Sequence, residues 1–225
     1  MQRHLLDPVF EGVNRAYFAV PTSQDRVKVT KAFVDACFDH GVEHAVIVSV
    51  IGADTRDTVF HQQFKEIEDY VLGRADKPVR LKVGDKGQVR FRPVILRCAM
   101  FYQNIYSFVP VLKDGHLYLP LRDGSLGHVD MEDVGACIAE ILVGPERFDK
   151  RTYNLVGEYQ RGNIMASAIS MGARVHCTYE NVEPDVVIQS LKVTTRATCL
   201  VVVTRDIAQP RAALRLADVR FFFLK

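Results

Sequence analysis

Val13-Asn14-Arg15-Ala16-Tyr17-Phe18-Ala19-Val20, and after one helical stretch Ala45-Val46-Ile47-Val48-Ser49-Val50-Ile51, decide the fold of this chain. Both are largely apolar runs of strand length, the form a parallel strand takes when both of its faces are covered. Between them, Asp25 to His40 reads as a helix. Val29, Phe33, Ala36 and Cys37 recur at helical spacing, and Gly41 stands where a C-terminal glycine belongs. Strand, helix and strand in that order predict a right-handed crossover into an α/β sheet. The two runs end in Pro21-Thr22-Ser23 and Ser49-Val50-Ile51-Gly52. In an open α/β sheet, ligands bind just past such carboxyl ends.

The pattern continues outward. Residues 4–12 read as a short helix ended by Gly12. Val59 to Leu72 reads as a helix with Phe60, Phe64, Ile67 and Val71 on its buried face. Residues 74–92 break the rhythm: Val79, Leu81 and Val83, then Val89 and Phe91, alternate with basic residues around Gly84-Asp85-Lys86-Gly87, which predicts a hairpin with one basic face. Strands are expected at 93–98, 116–121, 153–156 and 174–179, and helices at 100–112, 130–143, 162–171 and 184–191. Beyond Leu191 the pattern degrades; 198–204 reads as a strand and 211–219 as a helix.

The 225 residues suit one α/β domain with a small appendage. The charge is uneven. Residues 191–225 carry seven basic and two acidic side chains, a net +5 within an overall +2, so residues 1–190 are mildly acidic at −3. A main body of that sign offers no basic field for nucleic acid. The five cysteines are odd in number, with no Cys-x-x-Cys, which argues against a disulfide framework and a zinc ribbon and for reduced thiols in a cytoplasmic setting. No metal site and no membrane span is expected, since no apolar run is long enough.

The ordered set of segments resembles the NmrA-like family, atypical short-chain dehydrogenase/reductase relatives with a Rossmann fold. The segments are Gly12 to Thr22, Asp25-Arg26-Val27, Ala32 to Ala36, Gly41 to Asp54, Phe64 to Tyr70, Val94 to Asn104, His128 to Val134 and Gly162 to Ala168. The resemblance implies an α/β fold: a partial Rossmann-like, doubly wound parallel sheet with a small α+β C-terminal subdomain. It divides the chain into an NAD(P)-binding domain over 1–157 with the hairpin 74–92 inserted, a substrate-side subdomain over 158–191, and a tail over 192–225 outside the family pattern.

Three departures accompany it. Family members open with a strand and a Gly-x-x-Gly-x-x-Gly turn that holds the pyrophosphate at a helix N-terminus. Neither that spacing nor Gly-x-Gly-x-x-Gly occurs here. The basic hairpin and the tail are the others, and a truncated or mis-spliced gene product would give all three. Charge-assisted hydrogen bonds of the missing kind are worth roughly 1.5–3 kcal/mol each. Losing two or three weakens dinucleotide binding by several decades. Without a neighbouring central strand, Tyr17–Val20 is expected to present an unpaired apolar edge open to self-association.

The resemblance implies NADP or NAD as cofactor. It places Pro21 and Thr22 on the adenosine side, Ser49, Val50 and Ile51 beside the nicotinamide ribose, and Ala99, Met100, Phe101 and Asn104 in the segment that closes over nicotinamide. Each also has a plain reading as turn, strand packing or helix start. Lys65 is the candidate catalytic lysine, although a solvated place among Glu66, Glu68 and Asp69 reads as well. The Tyr of Tyr-x-x-x-Lys is absent, since His61 stands four residues before Lys65. Asp130 and Asp133 match the family and also suit helix capping. Three functions therefore compete: an NAD(P)H-dependent reductase of a small carbonyl or quinone-type substrate, a non-catalytic NAD(P) sensor that binds a regulatory protein, and an inactive isoform without dinucleotide that acts by association.

Overall fold

The computed structural model describes residues 7–20, 23–79, 89–108, 114–148, 151–183, 199–205 and 219–224. Side chains are described no further than Glu183. The chain divides into two compact units. One comprises Met1–Arg97, Gly135–Asn154 and Ala197–Lys225; the other comprises Cys98–Val134 and Leu155–Arg196.

The first unit begins with a short helix, α1 (Asp7–Phe10), and strand β1 (Val13–Ala19). Helix α2 (Arg26–Asp39), strand β2 (His44–Val50) and helix α3 (Val59–Leu72) follow, then strand β3 (Arg92–Cys98). β1 and β2 are parallel, with Ala16 opposite Ala45 and Phe18 opposite Ile47. The amino ends are in step: Glu43 N donates to Asn14 O at 2.9 Å and Arg92 N to Glu43 O at 2.7 Å. The expected side-by-side parallel arrangement of these three strands is therefore present.

Consecutive residues Ala45, Val46 and Ile47 of β2, and Val94, Ile95 and Leu96 of β3, are all buried. Both faces of the sheet are covered, which explains why the strands read as apolar runs rather than alternating ones. One face packs Ala16, Phe18, Ala45, Ile47 and Ile95 with Phe33, Cys37, Ile67 and Val71 of the two helices. Phe18 and Phe33 stack at 4.5 Å between ring centroids. Gly41 follows α2 with φ +73°, a conformation that disfavours any side chain. α3 is capped by Thr58, whose hydroxyl accepts from His61 N at 3.1 Å.

The hairpin expectation holds where it can be seen. Pro78 and Arg90 bridge antiparallel, and Val79 N donates to Val89 O at 3.0 Å. Residues 80–88 lie outside the described residues, as do 184–191.

In this unit two expectations are corrected. The far edge of β1 is not open. Strand β10 (Cys199–Arg205) pairs with it antiparallel, Ala16 opposite Val203, and strand β11 (Val219–Leu224) pairs with β10. The six-stranded order is β11-β10-β1-β2-β3-β7, with β7 at Thr152–Leu155. The β-branched run Val201–Val203 supplies the pairing that the reading of β1 alone left vacant. Val219, expected at a helix end, opens a strand, and 211–218 lie outside the described residues.

In the second unit, Met100–Phe101 form a two-residue strand, β4, and Tyr102–Phe108 a 3₁₀ helix, where an α-helix is expected. Pairing of Met100 with His128 in strand β6 (Ser125–Val129) holds the backbone extended there. β6 also pairs with β8 (Glu158–Arg161), and β5 (His116–Leu119) pairs with β9 (Thr178–Asn181). Helix α5 (Gly162–Ala173) belongs to this unit, while helix α4 (Met131–Val143) begins in it and from Gly135 belongs to the first unit.

Candidate functional site

The carboxyl ends of β1 and β2 carry the loops into α2 and α3, and the residues there are braced from below. Ser49, fully buried near the end of β2, donates from Oγ to Glu68 Oε1 at 2.6 Å. Glu68 of α3 is 1% exposed. It accepts two further hydrogen bonds from Arg97 of β3, Nε at 2.9 Å and Nη2 at 2.7 Å. Arg97 Nη1 reaches Asp54, in the loop after β2, at 3.1 Å. One carboxylate thus joins the end of β2, α3 and β3.

The electrostatics follow this geometry. The Glu68 hydrogen bonds raise the Arg97 pKa and outweigh burial, which lowers it, so the guanidinium stays charged. A backbone hydrogen bond in its own loop, and then Arg97, hold Asp54 below the usual carboxylate range.

Two buried polar atoms in this region lack partners among the described residues. Arg26, in the first turn of α2, is 8% exposed. Its Nε donates to Ser23 O at 2.9 Å and its guanidinium lies over the rings of Phe60 at 4.7 Å and Phe64 at 5.4 Å, while Nη1 has no hydrogen-bond partner. Burial lowers its pKa. His61, in the first turn of α3, has a buried Nδ1 without a partner. Gly52, with φ +82°, approaches that imidazole; a β-carbon there would sit 3.5 Å from Nε2. Unsatisfied buried donors and acceptors are costly and therefore rare in native folds.

The predicted residues fall as follows. Ser49 is in the brace, and Val50 and Ile51 are half-buried beside it. Pro21 and Thr22 lie outside the described residues. Lys65 Nζ pairs with the carboxylate of Asp69 one turn along α3, so its charge is engaged on its own helix. In the second unit, Ala99, Met100 and Phe101 are half-buried and Asn104 is exposed. Asp130 caps α4, accepting from Glu132 N at 2.7 Å and from Gln103 Nε2 at 3.0 Å. Tyr102 stacks on His128 at 5.0 Å.

Sequence reasoning missed Glu68, Arg97, Arg26 and Asp54. A signal existed for the first two. Glu68 follows Ile67 and stands four residues after Phe64, on the apolar stripe of its helix, and Arg97 interrupts the apolar run 94–98. Among the described residues no cluster of His, Cys, Asp or Glu could hold a metal, and no helix is long and apolar enough to cross a membrane.

Comparison with known proteins adds the following. A model of the NmrA-like family matches residues 2–208. An NAD(P)H azoreductase of Xenophilus azovorans is 24% identical over 164 residues, which cover 72% of this chain and 52% of the azoreductase. The NADPH-dependent quinone oxidoreductase of Escherichia coli, solved with NADPH, superposes with a TM-score of 0.67 at 17% identity, over 85% of this chain and 63% of that one. NmrA, a negative transcriptional regulator solved with NAD, superposes at 0.61 with 20% identity, over 80% of this chain and 56% of that one. The chain thus spans between about half and two thirds of the length of these relatives. The likeness to the solved structures is one of fold.

Proposed function

The chain belongs to the NmrA-like family, and from that premise we propose that it is an NAD(P)-binding redox sensor whose dinucleotide rim lies past the carboxyl ends of β1 and β2. One observation carries the reading: the Ser49–Glu68–Arg97 brace fixes that rim, and two unpartnered buried polar atoms, Arg26 Nη1 and His61 Nδ1, stand on the first turns of the two helices that leave it. The region past the carboxyl ends of the strands is where an open α/β sheet binds ligand.

The residues fit a dinucleotide in kind. The Arg26 guanidinium would hold an anionic group, and the His61 imidazole would exchange a hydrogen bond with an amide or hydroxyl. Ser49, with its hydroxyl committed to Glu68, would shape the floor through its backbone. The bound nicotinamide would supply hydride chemistry. Among the described residues of this rim little is offered for moving a proton: His61 stands where Tyr-x-x-x-Lys would have its tyrosine, and Lys65 is committed to Asp69. Sensing is preferred over turnover for that reason. An NAD(P)H-dependent reductase is the second reading, favoured by the azoreductase and quinone oxidoreductase among the relatives.

Titration with NADPH tests the proposal through the fluorescence of the dinucleotide itself, undisturbed by tryptophan, which the chain lacks. Saturable binding below millimolar, weakened tenfold or more by Arg26→Gln, is expected. No saturation in that range rejects both readings. Turnover of a quinone and azo-dye panel by the binding-competent protein would replace sensor with reductase.

A further inference from the structure

At the opposite ends of the strands, the first unit holds a cavity of about 250 Å³ lined by the opening residues of β2 and β3 and by the segment after α4. A seven-residue strand spans about 20 Å, so this cavity is well removed from the carboxyl-end rim. Its polar lining is His44, Asp76, Arg92, Glu146 and Arg151, and Val46, Val94, Ile141 and Phe148 supply an apolar wall.

The cations there are not equivalent. Arg151 Nη2 is neutralised by Asp76 Oδ1 at 2.6 Å. Arg15 of β1, nearby, donates to the last carbonyls of α4, Leu142 O at 2.5 Å and Val143 O at 3.1 Å. Arg92, on the first residue of β3, is exposed, and no carboxylate among the described residues pairs with it. A guanidinium fork with no carboxylate held to it among the described residues matches a carboxylate or phosphate bidentately.

We propose that this cavity binds a small oxyanion, a short-chain carboxylate or a phosphate, with Arg92 as its charged anchor, His44 as a neutral hydrogen-bonding partner and the Val46–Val94–Ile141–Phe148 wall receiving any hydrocarbon part. The volume equals roughly eight waters at about 30 Å³ each, so the ligand has on the order of ten non-hydrogen atoms or fewer.

The field in the cavity agrees. The His44 pKa is lowered to about 4, first by burial and then by Arg15, Arg92 and Arg151, against which Glu146 acts in the raising direction. Glu43 Oε1 lies 3.5 Å from His44 Nε2, and Asp76 faces the same space. An anion seated on Arg92 reduces that positive field, so binding and protonation of His44 reinforce each other.

The test follows the His44 ring resonances by NMR while inorganic phosphate, acetate or butanoate is added at constant ionic strength, chloride making up the balance. Saturable shifts are expected, with the His44 pKa rising at saturation. Arg92→Gln should weaken binding tenfold or more, and Arg92→Lys should restore part of it. Butanoate binding several-fold tighter than acetate identifies a carboxylate with an apolar body, and phosphate exceeding both identifies a phosphate. Non-saturating shifts with every probe, or equal responses in the parent and Arg92→Gln, overturn the site. Arg92 is exposed, so its substitution leaves the core intact.

Discussion

Replacing Glu68 with Leu tests the brace under the candidate rim. The substitution keeps roughly the side-chain volume, so little cavity cost is expected. It removes three hydrogen bonds, one from Ser49 and two from Arg97. The Ser49 hydroxyl, fully buried, loses its acceptor, at about 1–3 kcal/mol. Arg97, whose side chain is 14% exposed, keeps only the exposed Asp54. Breaking a buried ion pair by removing one partner costs about 3–5 kcal/mol in all. Urea unfolding followed by far-UV circular dichroism should show this as a midpoint lowered by about 1–2 M with an unchanged slope, taking a slope of roughly 2–3 kcal/mol/M. The triple variant Ser49→Ala/Glu68→Leu/Arg97→Met removes the orphaned groups together and should recover to within about 1 kcal/mol of the parent, because apolar replacement of a whole buried pair is often neutral. A Glu68→Leu loss below about 1 kcal/mol, or a triple variant no better than the sum of its singles, would refute the brace.

Three further outcomes follow from the same structure. Phe33→Ala, at a fully buried ring stacked on Phe18, should cost about 3–5 kcal/mol in the same urea assay, and a loss under about 1 kcal/mol would contradict the α2–sheet packing. His44 is neutral when folded, with its pKa lowered to about 4, whereas the unfolded imidazole titrates near 6.5. Between those values the unfolded chain binds more protons, so stability should fall by up to about 3 kcal/mol as pH drops through that window. His44→Leu should flatten this part of the profile; an unchanged slope would exclude His44 as its source. Deleting residues 192–225 strips β10 from the edge of β1, which should produce concentration-dependent association by light scattering; a monomer of parent stability would show the edge needs no cover.

What the sequence disclosed and what it hid divide along the range of the interactions. The 3.6-residue recurrence of Val29, Phe33 and Cys37, and of Phe64, Ile67 and Val71, places α2 and α3 because a helix is stabilised by neighbours along the chain; Phe60, read on the same buried face, is instead 42% exposed at the start of α3. The apolar runs Ala45–Val48 of β2 and Val94–Leu96 of β3 announce coverage on both faces for the same local reason, whereas β1 carries Asn14 and Arg15 and buries mainly alternate residues. The partner of β1 could not be seen this way: β10 is about 185 residues away in the chain, and neither the orientation nor the register of that pairing is written in either strand alone. The bracing network is of the same kind, since Ser49, Glu68 and Arg97 meet only after two crossovers have closed. It did leave a trace. Glu68 sits on an apolar helix face and Arg97 inside an apolar strand, and a charge in such a place is sustained only by another charge brought to it from elsewhere. Two such violations, one on the helix after β2 and one on the next strand, predict each other as partners. They fix the end of the sheet at which the partnership forms, because Arg97 and Ser49 both stand next to the last residue of their strands. The charged residue that breaks an amphipathic pattern therefore carries more information about the candidate site than the residues that conform to it. Arg26, buried at the start of α2, is the violation for which one guanidinium nitrogen finds no partner among the described residues, which is the physical ground for looking to a ligand there.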